Sequence, residues 1–406
     1  MSQRDSAEFT GLPDLASRGL GGSVVFANDE FFAEKENLIR PGPAVFAAGE
    51  FGHKGKVYDG WETRRRRDAG HDFAIVRLGC PGVIHGVVVD TAFFRGNFPP
   101  EISVEGACAD GYPSRAELAE LRWHPLVGKT AASGDAINRY SVADRRRWTH
   151  VRLSIYPDGG VARLRVHGEV VPDPAFLTGT TDLAAMENGG RVTDCSDAFY
   201  SSPANLIMPG LARVMSDGWE NARRRGPGND YVIVKLAAAG RLRQVEVDTS
   251  YFVGNAPGWI ELSAAGGAMG PGGAGGVGSA GSAGSAGSAG SAGSAGSAGS
   301  AGSAGSAGFA GSAGFAGSAG FAGSAGFAGS AAGDDVGSEL EWREILPRAR
   351  VQPDTRHRFV LDNSPEATHV RLDVLPDGGL ARLRVYGEIT PDARAALAER
   401  WRDTTP

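Results

Sequence analysis

Cysteine is scarce in this 406-residue chain. It has only Cys80, Cys108 and Cys195, which lie far apart and show no metal-ligand spacing. An odd, scattered set argues against a disulfide framework or a zinc site and points to a reducing, cytoplasmic setting. Long apolar runs are also missing. None approaches the roughly 20 residues that cross a bilayer, so no membrane contact is expected. The stretch Met1–Gly22 reads as an N-terminal segment without the basic start and apolar centre of a secretory signal. Positive charge is not in excess either. The formal net charge of -6 argues against a nucleic-acid partner, despite arginine runs at Arg64–Arg67 and Arg145–Arg147.

Glycine, by contrast, is abundant, and one stretch is especially rich in it. From 264 to 337 the chain is nearly pure Gly, Ser and Ala, with Phe309, Phe315, Phe321 and Phe327 at regular intervals. Such composition buries too little to offset the entropy of ordering it, which predicts a disordered loop. The rest of the chain is built on a repeat. Asp59-Gly60-Trp61-Glu62 returns as Asp217-Gly218-Trp219-Glu220, and Arg65, Arg66 and Arg67 return as Arg223, Arg224 and Arg225. Asp72, Asp90-Thr91 and Gly96-Asn97 return as Asp230, Asp248-Thr249 and Gly254-Asn255, at the same offset of 158 residues. Further on, His150-Val151-Arg152-Leu153 and Pro157-Asp158-Gly159-Gly160 return at an offset of 219. The jump falls across the Gly/Ser/Ala tract. The tract is therefore an enlarged loop inside the second copy, which loop-closure entropy tolerates at about 0.6 kcal/mol per doubling of length.

The local patterns are those of β-structure. Val151, Leu153 and Ile155 alternate with polar neighbours, a Pro-Asp-Gly-Gly turn follows, and Ala162, Leu164 and Val166 alternate again, which predicts a hairpin. Phe73–Leu78 and Val83–Val89 read as two buried strands, as do Tyr231–Leu236 and Leu242–Val247. Helix is expected only at Glu117–Arg122 and Pro391–Arg402. Together these features predict an all-β protein of two repeated jelly-roll sandwiches, at 23–175 and 185–395, the second interrupted by the loop.

Each copy presents an Asp-Gly-Trp-Glu turn, an arginine run, an Asp before a strand and a later Gly-Asn. At sandwich strand ends such segments can converge from one rim. Arginine pairs bidentately with a carboxylate, and carboxylates and amides accept from ureido N–H groups, so the set fits a small anionic amide. The bland readings are that Trp61 and Trp219 plug the core, that Asp90 and Asp248 cap backbone N–H groups, and that the arginines are a solvated face. His71 faces Asn229 in the copy, so only the first copy has a group that titrates near neutrality. Clustered acids are compatible with a divalent metal, but the residues require no cofactor and the metal stays unknown.

Several stretches, in order, resemble the allantoicase family. They are Asn28–Leu38, Asp59–Arg66, Gly70-His71-Asp72, and Val89–Asn97 with its copy Val247–Asn255. The resemblance implies two jelly-roll repeats akin to galactose-binding-like domains, homo-oligomeric assembly, and hydrolysis of allantoate to ureidoglycolate and urea in purine degradation. For that chemistry Glu62 would protonate the leaving nitrogen, and Asp72 or His71 would activate water. Arg65 and Arg66 would hold the carboxylate and Asn97 the retained ureido group, with Glu220, Arg223, Arg224 and Asn255 as their second-copy equivalents. A non-catalytic ligand-binding sandwich and a hydrolase acting on ureidoglycolate are the alternatives.

Overall fold

The computed structural model describes residues 9–46, 49–52, 55–56, 58–266, 340–362 and 366–406. Each copy is organised by one 19-residue strand, Asp72–Asp90 in the first and Asp230–Asp248 in the second. Where the sequence suggests two strands, the backbone runs straight through and shifts register, between Arg77 and Gly82 and again between Lys235 and Gly240. The first half of Asp72–Asp90 pairs with Ser23–Ala27 and Arg147–Tyr156. Its second half pairs with Ile137–Ser141 and Arg163–Val170. Glu101–Ala107 and His124–Ala131 extend the first of these layers. One strand thus serves both layers, and Ala74, Val76, Val87, Val89, Leu153 and Leu164 fill the space between them with no exposed surface. The second copy repeats this plan with Arg191–Cys195, Glu366–Leu375, Arg356–Val360 and Arg382–Ile389. The fold is the expected pair of antiparallel jelly-roll sandwiches.

The expected hairpin does not form. Arg147–Tyr156 and Arg163–Val170 do not pair with each other; each pairs with a different half of Asp72–Asp90. Both strands carry one apolar face toward the same core, and the long strand offers each an edge. Pro157–Gly160 is therefore a crossover between layers at the end of the sandwich, and the same holds for Pro376–Gly379. Its glycines have a reason. Gly159 has φ +145°, and a Cβ on Gly160 would lie 2.1 Å from the Phe94 ring.

Helices form at Arg115–Glu120, closed by a Ser114/Glu117 capping box, and at Pro391–Asp403. The latter docks on the first copy. Arg147 donates to Trp401 O at 2.8 Å and Thr405 Oγ1 at 2.7 Å, with its guanidinium over the Trp401 ring. The loop expected from 264 begins later, because Ala264 and Ala265 are buried residues of the Trp259–Ala265 strand. The tract from 267 to 337 lies outside the described residues.

Candidate functional site

Trp61 is fully buried and its Nε1 donates to Asp29 O at 2.8 Å; Trp219 does the same to Asp197 O. The tryptophans plug the core and fix the residue that follows each. Beneath the first turn lies Arg163, 2% exposed, a residue the sequence did not single out. It donates to Asp59 Oδ2 at 2.6 Å and to the carbonyls of Gly42, Asp59 and Ala162. Strand alternation places it on the wet face. Its only sequence signal was recurrence as Arg382, which likewise donates to Gly210 O and Asp217 O.

Trp61–Glu62 pairs with Gly160–Val161, and Glu62 exchanges backbone bonds with Ala33. Its carboxyl is therefore held inside the rim at 8% exposure. Oε1 accepts from Asn97 Nδ2 at 2.6 Å, while Oε2 is buried without a partner among the described residues. Burial pushes the Glu62 pKa above its ordinary value, and the Asn97 bond only partly opposes this. Asn97 is itself seated by Gly160 N–H, which donates to its carbonyl at 2.7 Å. In the copy Asn255 Nδ2 reaches Glu220 Oε1 at 2.7 Å, but Glu220 is only half-buried and neither of its oxygens is stranded. The two copies share the pair and differ in how far it is removed from water.

A second pair forms at the start of the long strand. Arg66 Nη1 donates to Asp72 Oδ1 at 2.6 Å, and Asn28 Nδ2 donates to the same oxygen at 3.0 Å. Arg66 N–H is anchored by Asp158 Oδ2 at 2.8 Å, which gives the crossover a task that the hairpin reading hid. The copy matches: Arg224 pairs with Asp230, Arg224 N–H is held by Asp377, and Ser196 takes the place of Asn28. Asp72 is 1% exposed, and its Oδ2 accepts no hydrogen bond among the described residues. Arg65 and Arg223 are exposed and make no ion pair or hydrogen bond among those residues.

His71 is placed elsewhere. Alternation sends it to the side of Phe73, opposite Asp72, and its ring lies 4.5 Å from that of Tyr156. Burial, with Arg152 and Arg66 nearby, lowers its pKa. Asp90 and Asp248 accept from Ala92 and Ser250 N–H at 2.8 Å, so both cap the turn after the strand. Among the described residues no three His, Cys, Asp or Glu side chains gather as metal ligands.

Comparison with known proteins adds to this geometry. The family profile described as "Allantoicase repeat" matches residues 13–171, 181–274 and 321–390, breaking inside the Gly/Ser/Ala tract. A probable allantoicase of Streptomyces coelicolor is 44% identical over 97% of this chain and 89% of its own. One of Nocardia farcinica is 46% identical over 94% and 95%. The allantoicase of Dictyostelium discoideum is 35% identical over 94% and 88%. The crystal structure of allantoicase from Saccharomyces cerevisiae superposes with a TM-score of 0.67 at 28% identity, covering 95% of this chain and 98% of that one.

Proposed function

The chain belongs to the allantoicase family, and we propose that the sandwich at 23–175, rather than its copy at 185–395, carries the catalysis. The protein is a hydrolase that cuts allantoate into ureidoglycolate and urea. The observation that carries the assignment to the first copy is Glu62 Oε2, a buried oxygen with no partner among the described residues, on a carboxyl whose pKa burial pushes up.

Because Asn97 donates to Oε1, the acid proton of Glu62 belongs on Oε2. The substrate must part the rim to meet it. Allantoate has one carboxylate and two ureido groups on a single carbon. Water adds its oxygen to that carbon as the C–N bond breaks, and the departing urea nitrogen takes the Glu62 proton. The proton of the water passes to Asp72 through Oδ2; Asp72 then releases it to solvent, and solvent returns one to Glu62, which restores both carboxyls. Arg66, braced by Asp72 Oδ1, and the exposed Arg65 clamp the substrate carboxylate. Asn97, whose Oδ1 is not engaged among the described residues, takes the retained ureido N–H. Glu220, Arg223, Arg224 and Asn255 form a binding version of the same set that does not turn substrate over.

Two substitutions separate the water-activating candidates. Asp72→Asn is expected to lower turnover at least about 100-fold, the low end for general base catalysis. His71→Asn, which installs the second copy's residue, is expected to stay within about tenfold of the parent in a urea-release assay. The opposite order would transfer the base role to His71.

The same reading places the enzyme in the cytoplasm as a homo-oligomer. Three free cysteines support the first. Exposed aromatics on the segments leading to both sites, Phe31 at 55% and Phe199 and Tyr200 above 60%, support the second. No helix among the described residues is long and apolar enough to cross a membrane.

A further inference from the structure

Glu62 lies between two neighbours. Gly160–Val161 pairs with Trp61–Glu62 on one edge, and residues 28–34 bridge to Glu62 on the other through Ala33. Phe32 and Ala33 N–H both donate to Glu62 O, and Glu62 N–H donates to Ala33 O, all at 3.2 Å. These bonds are at the long end of the usual range. Ala33 is the only buried residue of the segment, while Phe31 and Phe32 are 55% and 41% exposed. Its hold on the rim therefore falls largely to polar contacts. One of these belongs to the first copy alone. Asp29 Oδ1 accepts from Arg64 N–H at 3.0 Å and Oδ2 from Arg64 Nε at 2.7 Å, with the guanidinium 5.4 Å from the Phe31 ring centroid. Arg64 is two residues past Glu62, so the contact clips the segment to the chain that bears the carboxyl. Burial alone would raise the Asp29 pKa, but bonds from Arg64 and Phe31 N–H and from the Arg64 guanidinium take it below its ordinary value.

The second copy keeps the scaffold and lacks the clip. Asp197 Oδ1 accepts from the N–H groups of Phe199 and Ala222, and its carbonyl accepts from Trp219 Nε1. Ala222 stands where the first copy has Arg64, and its methyl cannot bond a carboxylate. Of the three backbone bonds, only that from Tyr200 N–H to Glu220 O remains among the described residues; Glu220 N–H turns to Ser201 Oγ at 2.7 Å. Phe199 and Tyr200 are 65% and 62% exposed, and Glu220 is half-buried where Glu62 is 8% exposed. A missing clip, a looser segment and a wetter carboxyl occur together. We propose that Arg64 is a positioning residue of the first site, which grips Asp29 and so holds residues 28–34 against Glu62 and keeps that carboxyl out of water. Burial and the Asn97 bond set the proton affinity of Glu62; no charge adds to them, whether from Asp29 and Arg64 beside it, Arg66 and Asp72 at the long strand or Asp158 on the crossover. The sign of a change is therefore diagnostic. Loosening the segment hydrates Glu62 and lowers its pKa, whereas mere loss of a nearby cation would raise it.

The catalytic meaning of the clip rests on Glu62 being the acid, but its test does not. Amide hydrogen exchange is followed on peptides covering 28–34 in the full-length parent, Arg64→Ala and Arg64→Lys. Arg64→Ala, which installs the second copy's residue, is expected to speed exchange there about fivefold, the upper end for an ion pair with an exposed partner, and to leave Asp72–Asp90 unchanged. Arg64→Lys keeps a charge for Asp29 and should fall between the two. Glu62 is titrated in the same proteins by carbon-13 NMR with label at glutamate Cδ, its signal identified by its absence from Glu62→Gln. In Arg64→Ala the midpoint should drop by about 0.5 pH or more, an about threefold change in proton affinity. Unchanged exchange over 28–34, equal acceleration in Asp72–Asp90, or a midpoint that stays or rises overturns the proposal. Urea release by the parent across pH decides separately whether Glu62 is the acid. A pH limb that does not follow the Glu62 titration removes that reading and leaves the clip standing.

Discussion

Glu62→Gln is expected to lower kcat for urea release by about 100-fold to 10,000-fold, the range for loss of a positioned general acid. Glutamine keeps an oxygen to accept from Asn97 and nearly the same volume, so the rim should stay closed. What it removes is the proton on the second oxygen. The pH dependence follows from the direction of the shift. A carboxyl with its folded pKa raised by burial stays protonated further into the working range. Turnover should therefore fall as pH rises through that value, and the fall should be missing from the residual activity of Glu62→Gln. The same group adds stability below its unfolded pKa and loses it as pH rises through the folded one. Deletion of the group should flatten that part of the stability profile. An unchanged kcat, or an alkaline limb that survives the substitution, would remove Glu62 from the role of acid.

Arg163→Ala should cost about 3–5 kcal/mol of stability, as removal of one partner from a buried ion pair does. The guanidinium is 2% exposed, pairs with Asp59 and donates to the carbonyl of Asp59, in the turn that carries Glu62, and to that of Gly42. Burial alone would raise the Asp59 pKa, but bonds from Arg163 and Val45 N–H and the charge of Arg163 take it below its ordinary value. Asp59 therefore stabilises above its unfolded pKa, and that contribution is lost as pH falls through the folded one. In the variant this acid-side loss should shrink, read as the difference in denaturant midpoint between neutral and acid pH. Since Arg163 supports the turn from below, turnover should fall alongside stability. A variant as stable as the parent would show that the buried pair contributes nothing.

Recurrence was what made the architecture legible. Trp61 and Trp219, or Asn97 and Asn255, return at one spacing, and both members of each pair do the same structural work. The Glu62–Asn97 contact could be anticipated because both residues recur on the rim. The crossover could not. Val151–Ile155 and Ala162–Val166 alternate as hairpin strands do, and only the long strand between them, invisible to a local pattern broken at Gly79–Gly82, decides that each pairs with it instead. The anchoring of Arg66 by Asp158 was hidden for the same reason. Histidine was singled out as a residue type that can titrate near neutrality, and that says nothing of its side of the strand, which alternation from Asp72 sets. Arg163 was unreadable because a buried arginine follows the wet phase of its strand and is drawn inward by carbonyls far away in sequence.

The most direct test is urea release from allantoate by the parent protein, Glu62→Gln and Glu220→Gln, assayed together with folding checked for each. Parent and Glu220→Gln should agree within about tenfold, while Glu62→Gln falls at least about 100-fold. If Glu62→Gln turns over like the parent, or Glu220→Gln is the variant that fails, catalysis does not reside in the first sandwich.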